Sequence, residues 1–236
     1  MNKFVTLINQ AQRLVFFGGA GVSVASGIPD FRSATGLYTR VGESVLSHDY
    51  LIHHTQEFYD FYWNHLVYPE AKPNLSHRVI AQLEAMGKLQ AVVTQNVDGL
   101  HQDAGSSNVL ELHGSVHRYH CLKCHKRYVL EDMVPHGIPI CACSGIIRPD
   151  VVLFDEPLDH EVCDKALRSI GEADMILVAG TSLTVYPAAG FLRAFKGKSF
   201  VIVNPDPTPM DGLATYRSYA PLEEELAKIT ILQGQC

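Results

Sequence analysis

The chain has 236 residues, and its 19 lysines and arginines against 25 aspartates and glutamates give a formal charge of −6. Apolar residues make up 47% and charged residues 19%, which supplies a buried core and excludes a disordered chain. The acidic balance argues against a nucleic-acid-binding protein, which would carry a basic field. Six cysteines are too few for a disulfide scaffold.

The N-terminus lacks the pattern of a signal peptide, because polar residues at positions 9–13 interrupt its apolar run. We expect an amphipathic helix there. Residues 175–192 are uncharged, but their apolar run stops at Ala179, which favours a buried strand and a loop over a membrane span. The sequence therefore predicts a soluble, cytoplasmic protein without membrane contacts, in which thiols stay reduced and paired cysteines indicate a metal.

Five short apolar runs, each followed by small or polar residues, predict strands that are buried on both faces. They lie at residues 14–17, 91–93, 109–112, 175–179 and 200–203. Helical patterns between and after them begin at Asn74, Pro157 and Pro221. Alternating strands and helices form a mainly parallel sheet covered on both sides. The predicted fold class is α/β, with a Rossmann-like parallel sheet whose ligands bind beyond the carboxyl ends of the strands.

Two segments interrupt this alternation. Residues 34–73 contain a cluster of aromatic side chains, and residues 117–148 contain four of the six cysteines. We interpret the first as a helical insertion and the second as a zinc-binding module, which together form a smaller lobe. Residues 1–33, 74–116 and 149–236 then make up the nucleotide-binding domain.

A glycine-rich segment follows the first predicted strand, with Gly18, Gly19 and Gly21 close together. Backbone amides there could approach a pyrophosphate without interference from a Cβ atom. The segment departs from the usual dinucleotide fingerprint, because Val24 stands at the third glycine position and no acidic residue closes the next strand. Alone it is equally compatible with a tight turn that binds nothing. The polar loop at residues 26–33 favours a binding role.

Two cysteine pairs, Cys121 with Cys124 and Cys141 with Cys143, are separated by 16 residues. This spacing is typical of a zinc ribbon, although the second pair is one residue tighter than usual. Four thiolates complete a tetrahedral site and leave no open position, so the predicted Zn²⁺ is structural. The alternative is four free buried thiols.

Polar residues follow two further predicted strands. Gln95, Asn96 and Asp98 supply two amides and a carboxylate on one turn, which suits a polar ring or a carboxamide. The same turn would also serve to cap a helix. His113 follows the third predicted strand, and histidine is the side chain best suited to accept a proton near neutral pH. Among 12 histidines, its position alone favours a surface or core role.

Taken together, these blocks resemble the sirtuins, the NAD-dependent protein lysine deacylases, over roughly residues 4–229 and in the family's order. The matching segments are residues 19–33, 94–101 and 112–114, the two cysteine pairs, and residues 180–183 and 203–204. The resemblance implies a compact bacterial-type catalytic core that deacetylates protein lysines, with NAD⁺ as co-substrate and one structural Zn²⁺. It implies release of nicotinamide and O-acetyl-ADP-ribose. We expect a monomer whose partner is an acyl-lysine protein or peptide, without direct nucleic-acid contacts.

The resemblance also implies roles for individual residues. His113 would be the general base toward the ribose hydroxyls, with Asn96 as a second catalytic residue. The residues implied in cofactor binding are Gly19, Ala20, Gly21, Val24, Asp30, Phe31, Arg32, Gln95, Asn96, Val97, Asp98, Gly180, Thr181, Ser182, Asn204, Pro205 and Ala220. The substrate peptide would add as a strand beside Val152, Leu153 and Phe154.

This chain departs from the sirtuin pattern at Asp155, where the family commonly has glycine. We expect a narrower or more acidic peptide groove there. Sirtuins that remove succinyl or malonyl groups have a Tyr-x-x-Arg pattern, whereas Tyr59 is followed here by Tyr62. No lysine or arginine lies between Arg40 and Lys72, so no cation in that segment could pair with an acyl carboxylate. Neutral acyl groups are therefore the expected substrates.

Three other functions fit part of these observations. A zinc-ribbon binding module with a degenerate nucleotide fold explains the cysteines alone. An NAD-dependent dehydrogenase explains the predicted nucleotide fold, and it would change the absorbance of the nicotinamide instead of releasing it. Transfer of single ADP-ribose groups is a related activity within the same family.

Overall fold

The computed structural model describes residues 2–31, 36 and 42–233, so Arg32 of the predicted cofactor loop lies outside the described residues. The strands of this part of the chain are β1 (Leu14–Gly18), β2 (Leu89–Thr94), β3 (Val109–Glu111), β4 (Gly114–Cys121), β5 (Arg127–Val129), β6 (Ile147–Val151), β7 (Met175–Ala179), β8 (Ser199–Val203) and β9 (Tyr216–Ser218). The α-helices are α1 (Lys3–Gln10), α2 (His48–His53), α3 (Thr55–His65), α4 (Leu75–Ala85), α5 (Leu100–Asp103), α6 (His160–Glu172) and α7 (Leu222–Gln233).

The main sheet of the described residues has six parallel strands in the order β3-β2-β1-β7-β8-β9. The five apolar runs predicted as strands are confirmed as β1, β2, β3, β7 and β8. Strand order reverses on either side of β1, which places a binding crevice at the carboxyl ends of β1 and β7. The predicted α/β class with a Rossmann-like parallel sheet is confirmed.

Apolar cores cover both faces of this sheet. Phe16 and Leu177 belong to one core, which includes Phe4 of α1 and Leu226 of α7. Phe17 and its neighbours belong to the other core, against α6 and the 3₁₀ helix at 188–194. Side chains of alternating residues in β1 thus enter opposite cores, and all five of its residues are buried. This burial explains why the strand sequences are continuously apolar.

The helices predicted from Asn74, Pro157 and Pro221 are present, and their ends lie within four residues of the predicted ones. The Asn74 side chain accepts hydrogen bonds from the backbone N–H groups of Ser76 and His77, which caps α4. The helix ends at Ala85, and Gly87 follows with φ +71°. Helix α6 begins three residues after Pro157, because Asp159 caps its first turn. The predicted N-terminal amphipathic helix is confirmed as α1, which buries Phe4, Val5 and Ile8.

The smaller lobe combines α2 and α3 with an antiparallel sheet in the order β5-β4-β6. Its core is aromatic and contains residues of both insertions, among them Tyr59, Tyr62 and Tyr119. The Tyr59 hydroxyl donates to Ile147 O at 2.5 Å, and the Tyr62 and Tyr119 hydroxyls lie 2.9 Å apart. These bonds join α3 to β4 and β6, so the two insertions fold as one unit. Strands β4 and β6 extend a few residues beyond the predicted limits of 117 and 148.

Within the described ranges, the helices are too short or too polar to cross a lipid bilayer.

Candidate functional site

A cavity of about 690 Å³ lies at the carboxyl ends of β1, β2, β7 and β8. Its walls are the loops that follow these strands, together with residues 151–156 between the lobes. All the described residues predicted to bind the cofactor line this cavity except Ala220. Ala220 lies one residue before Pro221, which does line it. The structure therefore brings together residues from the N-terminal, central and C-terminal parts of the chain.

Three glycines allow the loops after β1 and β7 to touch through their backbones. A Cβ atom on Gly19 would lie 2.8 Å from Gly180 O, and one on Gly21 would lie 2.7 Å from Gly180 Cα. Gly180 has φ +60°, and a Cβ atom there would lie 2.5 Å from Val22 N. Side chains at these three positions would separate the loops. The Ala20 N–H has no acceptor among the described residues, so this cradle fits a pyrophosphate of NAD⁺.

Ser23 organises the polar turn after β2. Its hydroxyl donates to Asp98 Oδ2 at 2.6 Å and accepts a hydrogen bond from Asn96 Nδ2 at 3.0 Å. Leu100 N–H donates to Asp98 Oδ1 at 3.0 Å. Burial raises the pKa of Asp98, and the bonds from Ser23 and Leu100 oppose this rise. Asn96 and Asp98 are therefore held in fixed positions on the cavity wall.

Gln95 links the β2 turn to the loop after β7. Its Nε2 donates to Thr181 Oγ1 at 3.1 Å, and Thr181 Oγ1 also accepts from Leu183 N. The backbone of Gln95 bonds to Gly18 O, at the end of β1. Gln95, Val97, Thr181 and Ser182 all line the cavity, as the resemblance implies.

His113 follows β3 and is half-buried on the cavity wall. Its Nδ1 lies 3.0 Å from Gln95 O. A carbonyl oxygen only accepts hydrogen bonds, so Nδ1 carries the proton and Nε2 is the basic nitrogen of the neutral ring. The backbone oxygen of His113 accepts from Val152 N at 2.9 Å, which places the backbone of His113 beside residues 152–154. The arrangement suits a general base at this point of the cavity.

Two buried histidines lie behind the cavity, and the sequence interpretation did not single them out. His77 Nδ1 accepts from Asn74 N at 3.3 Å, and its Nε2 lies 3.5 Å from Ser23 Oγ. His101 packs against His77 with ring centroids 4.8 Å apart. Burial lowers the pKa of His77 to about 4 and that of His101 to about 3, so both are neutral at physiological pH. Only proximity in the fold reveals them, because 54 residues separate His77 from Ser23.

Val152, Leu153 and Phe154 line the cavity where the two lobes meet. Much of their backbone already has partners within the chain. Phe154 N donates to Leu46 O at 2.9 Å, and Phe154 O accepts from His48 N at 3.2 Å. The pairing of a substrate strand with this segment stays a prediction. Among the backbone N–H and C=O groups of residues 152–154, the carbonyl of Val152 is the one without a partner in the described part of the chain.

An ion pair between the buried Arg148 and the half-buried Glu156 anchors this segment to the small lobe. The Arg148 guanidinium binds both carboxylate oxygens of Glu156 and donates to Val151 O at 2.7 Å. Glu156 also accepts from Leu153 N at 2.9 Å and lies 2.8 Å from His48 Nδ1. Burial would raise the pKa of Glu156, but the Arg148 hydrogen bonds outweigh it and the pKa falls to about 2.

Asp155 lies between Phe154 and Glu156 with φ +70°, in the left-handed region that glycine prefers. This conformation gives a physical reason for the glycine of the family at this position. Asp155 is exposed and lines the cavity. Aspartate tolerates the left-handed region better than most residues, so the departure from the family pattern keeps the local fold.

Asn204 and Pro205 follow β8 and line the end of the cavity opposite the small lobe. Asn204 is buried, and its Nδ2 donates to Asp206 O at 2.8 Å. Glu223 of α7 lines the same end, and its carboxylate accepts from Ser76 Oγ at 3.2 Å.

His65, Leu66 and Tyr68 line the cavity on the small-lobe side. Tyr59 and Tyr62 are fully buried in the aromatic core and lie outside the lining. Among the described lining residues there is no lysine or arginine.

The four predicted zinc ligands lie together at the far end of the small lobe. Their Sγ atoms all lie within 4.8 Å of one another, with Cys121 and Cys143 at 3.4 Å and Cys124 and Cys141 at 3.6 Å. Zinc–sulfur bonds of about 2.3 Å in a tetrahedron put the sulfurs about 3.8 Å apart, so the cluster fits Zn²⁺. Gly145 permits this packing, since a Cβ atom there would lie 2.6 Å from Cys121 Sγ.

Comparison with known proteins agrees with this geometry. The model of the Sir2 family matches residues 19–187. The chain is 49% identical over 226 residues to an NAD-dependent protein deacetylase of Clostridium perfringens, with 91% of each chain covered. It is 49% identical over 214 residues to an NAD-dependent protein deacetylase of Cutibacterium acnes, with 88% of each covered.

Solved Sir2 structures have the same fold. A Sir2 variant with a deacetylated p53 peptide and 3′-O-acetyl ADP ribose matches with a TM-score of 0.90 and 38% identity, and 98% of each chain is covered. A complex of Sir2, p53 peptide and NAD⁺ matches with a TM-score of 0.88 and 37% identity, over 100% of this chain and 99% of the other. Fold, site and relatives agree, and this chain belongs to the Sir2 family.

Proposed function

We propose that this chain is an NAD-dependent protein lysine deacetylase that releases nicotinamide and O-acetyl-ADP-ribose. The observation that carries the proposal is that His113 shares one cavity with the glycine cradle and the Ser23–Asn96–Asp98 group. The curated relatives are NAD-dependent protein deacetylases, and similar structures hold a peptide with NAD⁺ or with an acetylated ADP-ribose.

NAD⁺, when bound, supplies a ribose carbon that can accept the acyl oxygen and a nicotinamide leaving group. The chain contributes position and proton transfer. His113 Nε2 accepts a proton from a ribose hydroxyl, because Gln95 O holds the proton of the neutral ring on Nδ1. An amide oxygen is a weak nucleophile, so the enclosure of the peptide between residues 152–156 and the β7 loop excludes water and fixes the approach.

The remaining site residues complete this proposal. Gly19, Ala20 and Gly21 hold the pyrophosphate, whereas Asn96 and Asp98 face the nicotinamide ribose. Residues assigned to other parts of the cofactor are Val24, Asp30, Phe31, Arg32, Gln95, Val97, Gly180, Thr181, Ser182, Asn204, Pro205 and Ala220. What supports these assignments is their common position on the cavity, except for Arg32, which the structure does not describe, and Ala220, which lies beside it.

Neutral acyl groups are the proposed substrates. An acyl carboxylate would need a cation in the cavity, and the described lining residues offer carboxylates but no lysine or arginine. A succinyl or malonyl group would therefore lose its hydration without gaining an ion pair. We further propose that the active unit is a monomer, because one chain brings the glycine cradle, the Ser23–Asn96–Asp98 group and His113 into a single cavity.

One experiment tests the reaction and the acyl preference together. The purified chain is incubated with NAD⁺ and matched acetyl-, propionyl- and succinyl-lysine peptides, and all products are identified by mass. The expected products are free lysine peptide, nicotinamide and O-acetyl-ADP-ribose, with the succinyl peptide at least tenfold slower. His113→Ala is expected to keep the melting temperature and lose about 10²-fold or more in turnover. Normal turnover by this variant, or faster reaction of the succinyl peptide, would contradict the proposal.

A further inference from the structure

Asp155 is the one residue of the 152–156 segment whose charge is not neutralised among the described residues. Its neighbour Glu156 is paired with Arg148 and His48. The carboxylate of Asp155 has neither a hydrogen bond nor an ion pair within the described part of the chain. Since it is also exposed on the cavity rim, its negative charge faces solvent where a peptide would enter.

The backbone conformation of Asp155 disfavours a residue with a Cβ atom, although aspartate tolerates it better than most residues do. Its φ of +70° suits glycine, and a residue with a Cβ atom is less stable there. The side chain forms no bond that would offset this cost among the described residues. A residue held in an unfavourable conformation at a binding cleft is a reason to look for a role in binding.

Tyr186 also lines this cavity, in the loop after β7. It is 63% exposed, although a tyrosine of a folded protein usually buries most of its ring. Carboxylates and the faces of aromatic rings each bind guanidinium and ammonium groups. Besides Asp155 and the Arg148-paired Glu156, the described lining of the cavity holds four carboxylates and no lysine or arginine, so its formal charge is negative.

From these observations we infer that Asp155 and Tyr186 are specificity-determining residues, which select acyl-lysine peptides that carry an arginine or lysine near the acylated residue. The inference rests on the proposed deacetylase function and names the class of peptide that it prefers. The acylated lysine itself is neutral and enters the cavity, while the basic neighbour stays at the rim. A solvent-exposed ion pair contributes modestly, so the selection appears as a ratio of rates and not as an absolute requirement.

The test compares acetyl-lysine peptides that differ at one position. Arginine, glutamine or glutamate is placed at each of the two positions on either side of the acetyl-lysine, and kcat/KM and the peptide Kd are measured. For at least one position, we expect the arginine peptide to exceed the glutamate peptide about fivefold to tenfold. The ratio is expected to fall as salt rises from about 0.05 to 0.5 M.

Two variants of Asp155 distinguish the effect of its charge from the effect of its backbone conformation. Asp155→Asn removes the charge and Asp155→Gly also relieves the left-handed backbone, and both are expected to lower the arginine preference to about twofold or less. The KM for NAD⁺ should stay unchanged. Tyr186→Leu is expected to lower the preference about twofold. The matched control is Glu161→Gln, which removes one exposed charge from the first turn of α6, outside the cavity lining.

The outcomes are distinct. An arginine preference that Asp155→Asn abolishes and Glu161→Gln keeps supports the inference. Equal kcat/KM for the arginine and glutamate peptides, or a preference that Asp155→Asn retains, overturns it while the deacetylase function stands. If no acetyl peptide reacts, the proposed function fails, and the ratio of peptide Kd values in the wild type and in Asp155→Asn then decides the inference.

Discussion

The hydroxyl of Ser23 donates a hydrogen bond of 2.6 Å to the carboxylate of Asp98, and this bond opposes the rise that burial causes in the pKa of Asp98. Ser23→Ala is expected to raise the pKa of Asp98 further and to release Asn96 from its partner. A hydrogen bond to a charged group contributes about 1.5–3 kcal/mol, so kcat/KM for NAD⁺ should fall about tenfold or more. Steady-state rates with NAD⁺ and acetyl peptide varied in turn check this.

Ser106 offers a matched control for that substitution. It is buried like Ser23, but its hydroxyl has no hydrogen-bond partner among the described residues and lies outside the cavity lining. Ser106→Ala should leave kcat/KM unchanged. An equal loss in both variants would show that the Ser23 effect comes from packing and not from Asp98.

The buried histidines predict how stability depends on pH. Burial lowers the pKa of His101 to about 3, below its ordinary value of 6.5, so the unfolded chain binds more protons than the folded chain between these values. The free energy of unfolding is therefore highest above pH 6.5 and decreases as the pH falls. The imidazole of His101 forms no hydrogen bond among the described residues, so His101→Leu should fold normally at pH 7.

Urea unfolding at pH 7, 6 and 5 measures this effect. Below pH 6.5, the free energy of unfolding should fall less steeply in His101→Leu than in the wild type, by about 1 kcal/mol per pH unit. His77, with a pKa of about 4, affects the pH dependence of stability in the same direction. Its contribution should remain in the His101→Leu variant. Parallel pH dependence in the wild type and in His101→Leu would contradict the buried neutral state of this ring.

The cysteine cluster predicts one zinc ion per chain. Elemental analysis should find about one equivalent, and Cys141→Ala should lose it and lower the melting temperature, because structural zinc contributes on the order of 10 kcal/mol to folding. Cys163→Ala is the matched control, since Cys163 lies on α6, far from the cluster in sequence and outside it. A zinc content unchanged by Cys141→Ala would contradict the site.

Removal of Arg148 should weaken peptide binding more than NAD⁺ binding. Arg148→Met leaves Glu156 without its principal partner, and because Glu156 is only half-buried the loss should cost about 1–3 kcal/mol, between the values for exposed and fully buried pairs. The KM for the peptide should rise because Glu156, without Arg148, no longer holds its carboxylate in place to accept the hydrogen bond from Leu153 N. Arg118→Met provides the comparison, since the half-exposed Arg118 pairs with Glu111 and should contribute about 1 kcal/mol or less.

Strands that consist of a continuous apolar run could be predicted from the sequence, whereas short strands with polar residues could not. The apolar runs that became β1 and β7 are buried at every residue, so their composition reveals them. Strand β9 has three residues, Tyr216, Arg217 and Ser218, which are half-buried or exposed and carry no apolar run. Its pairing with β8 is set by tertiary structure, which local sequence does not encode.

The candidate site divides in the same way. Turn residues that follow strands, such as Gln95 and Asp98, can be predicted from the sequence, because the carboxyl ends of parallel strands lie on one side of the sheet. His77 does not, because its link to the site runs through Ser23 and depends on how α4 is placed. The contact of Glu156 with Leu153 N is likewise supported by Arg148, which the sequence interpretation did not connect to the site.

The shared aromatic core of the small lobe restricts how this enzyme can be re-engineered. The Tyr62–Tyr119 hydroxyl pair and the Tyr59–Ile147 bond cross between two segments that are distant in the chain. An exchange of the small lobe with that of a relative would thus have to transfer residues 45–67 and 116–153 as one cassette. Transfer of either segment alone would separate Tyr62 from Tyr119 and remove the hydroxyl contact between them from the aromatic core.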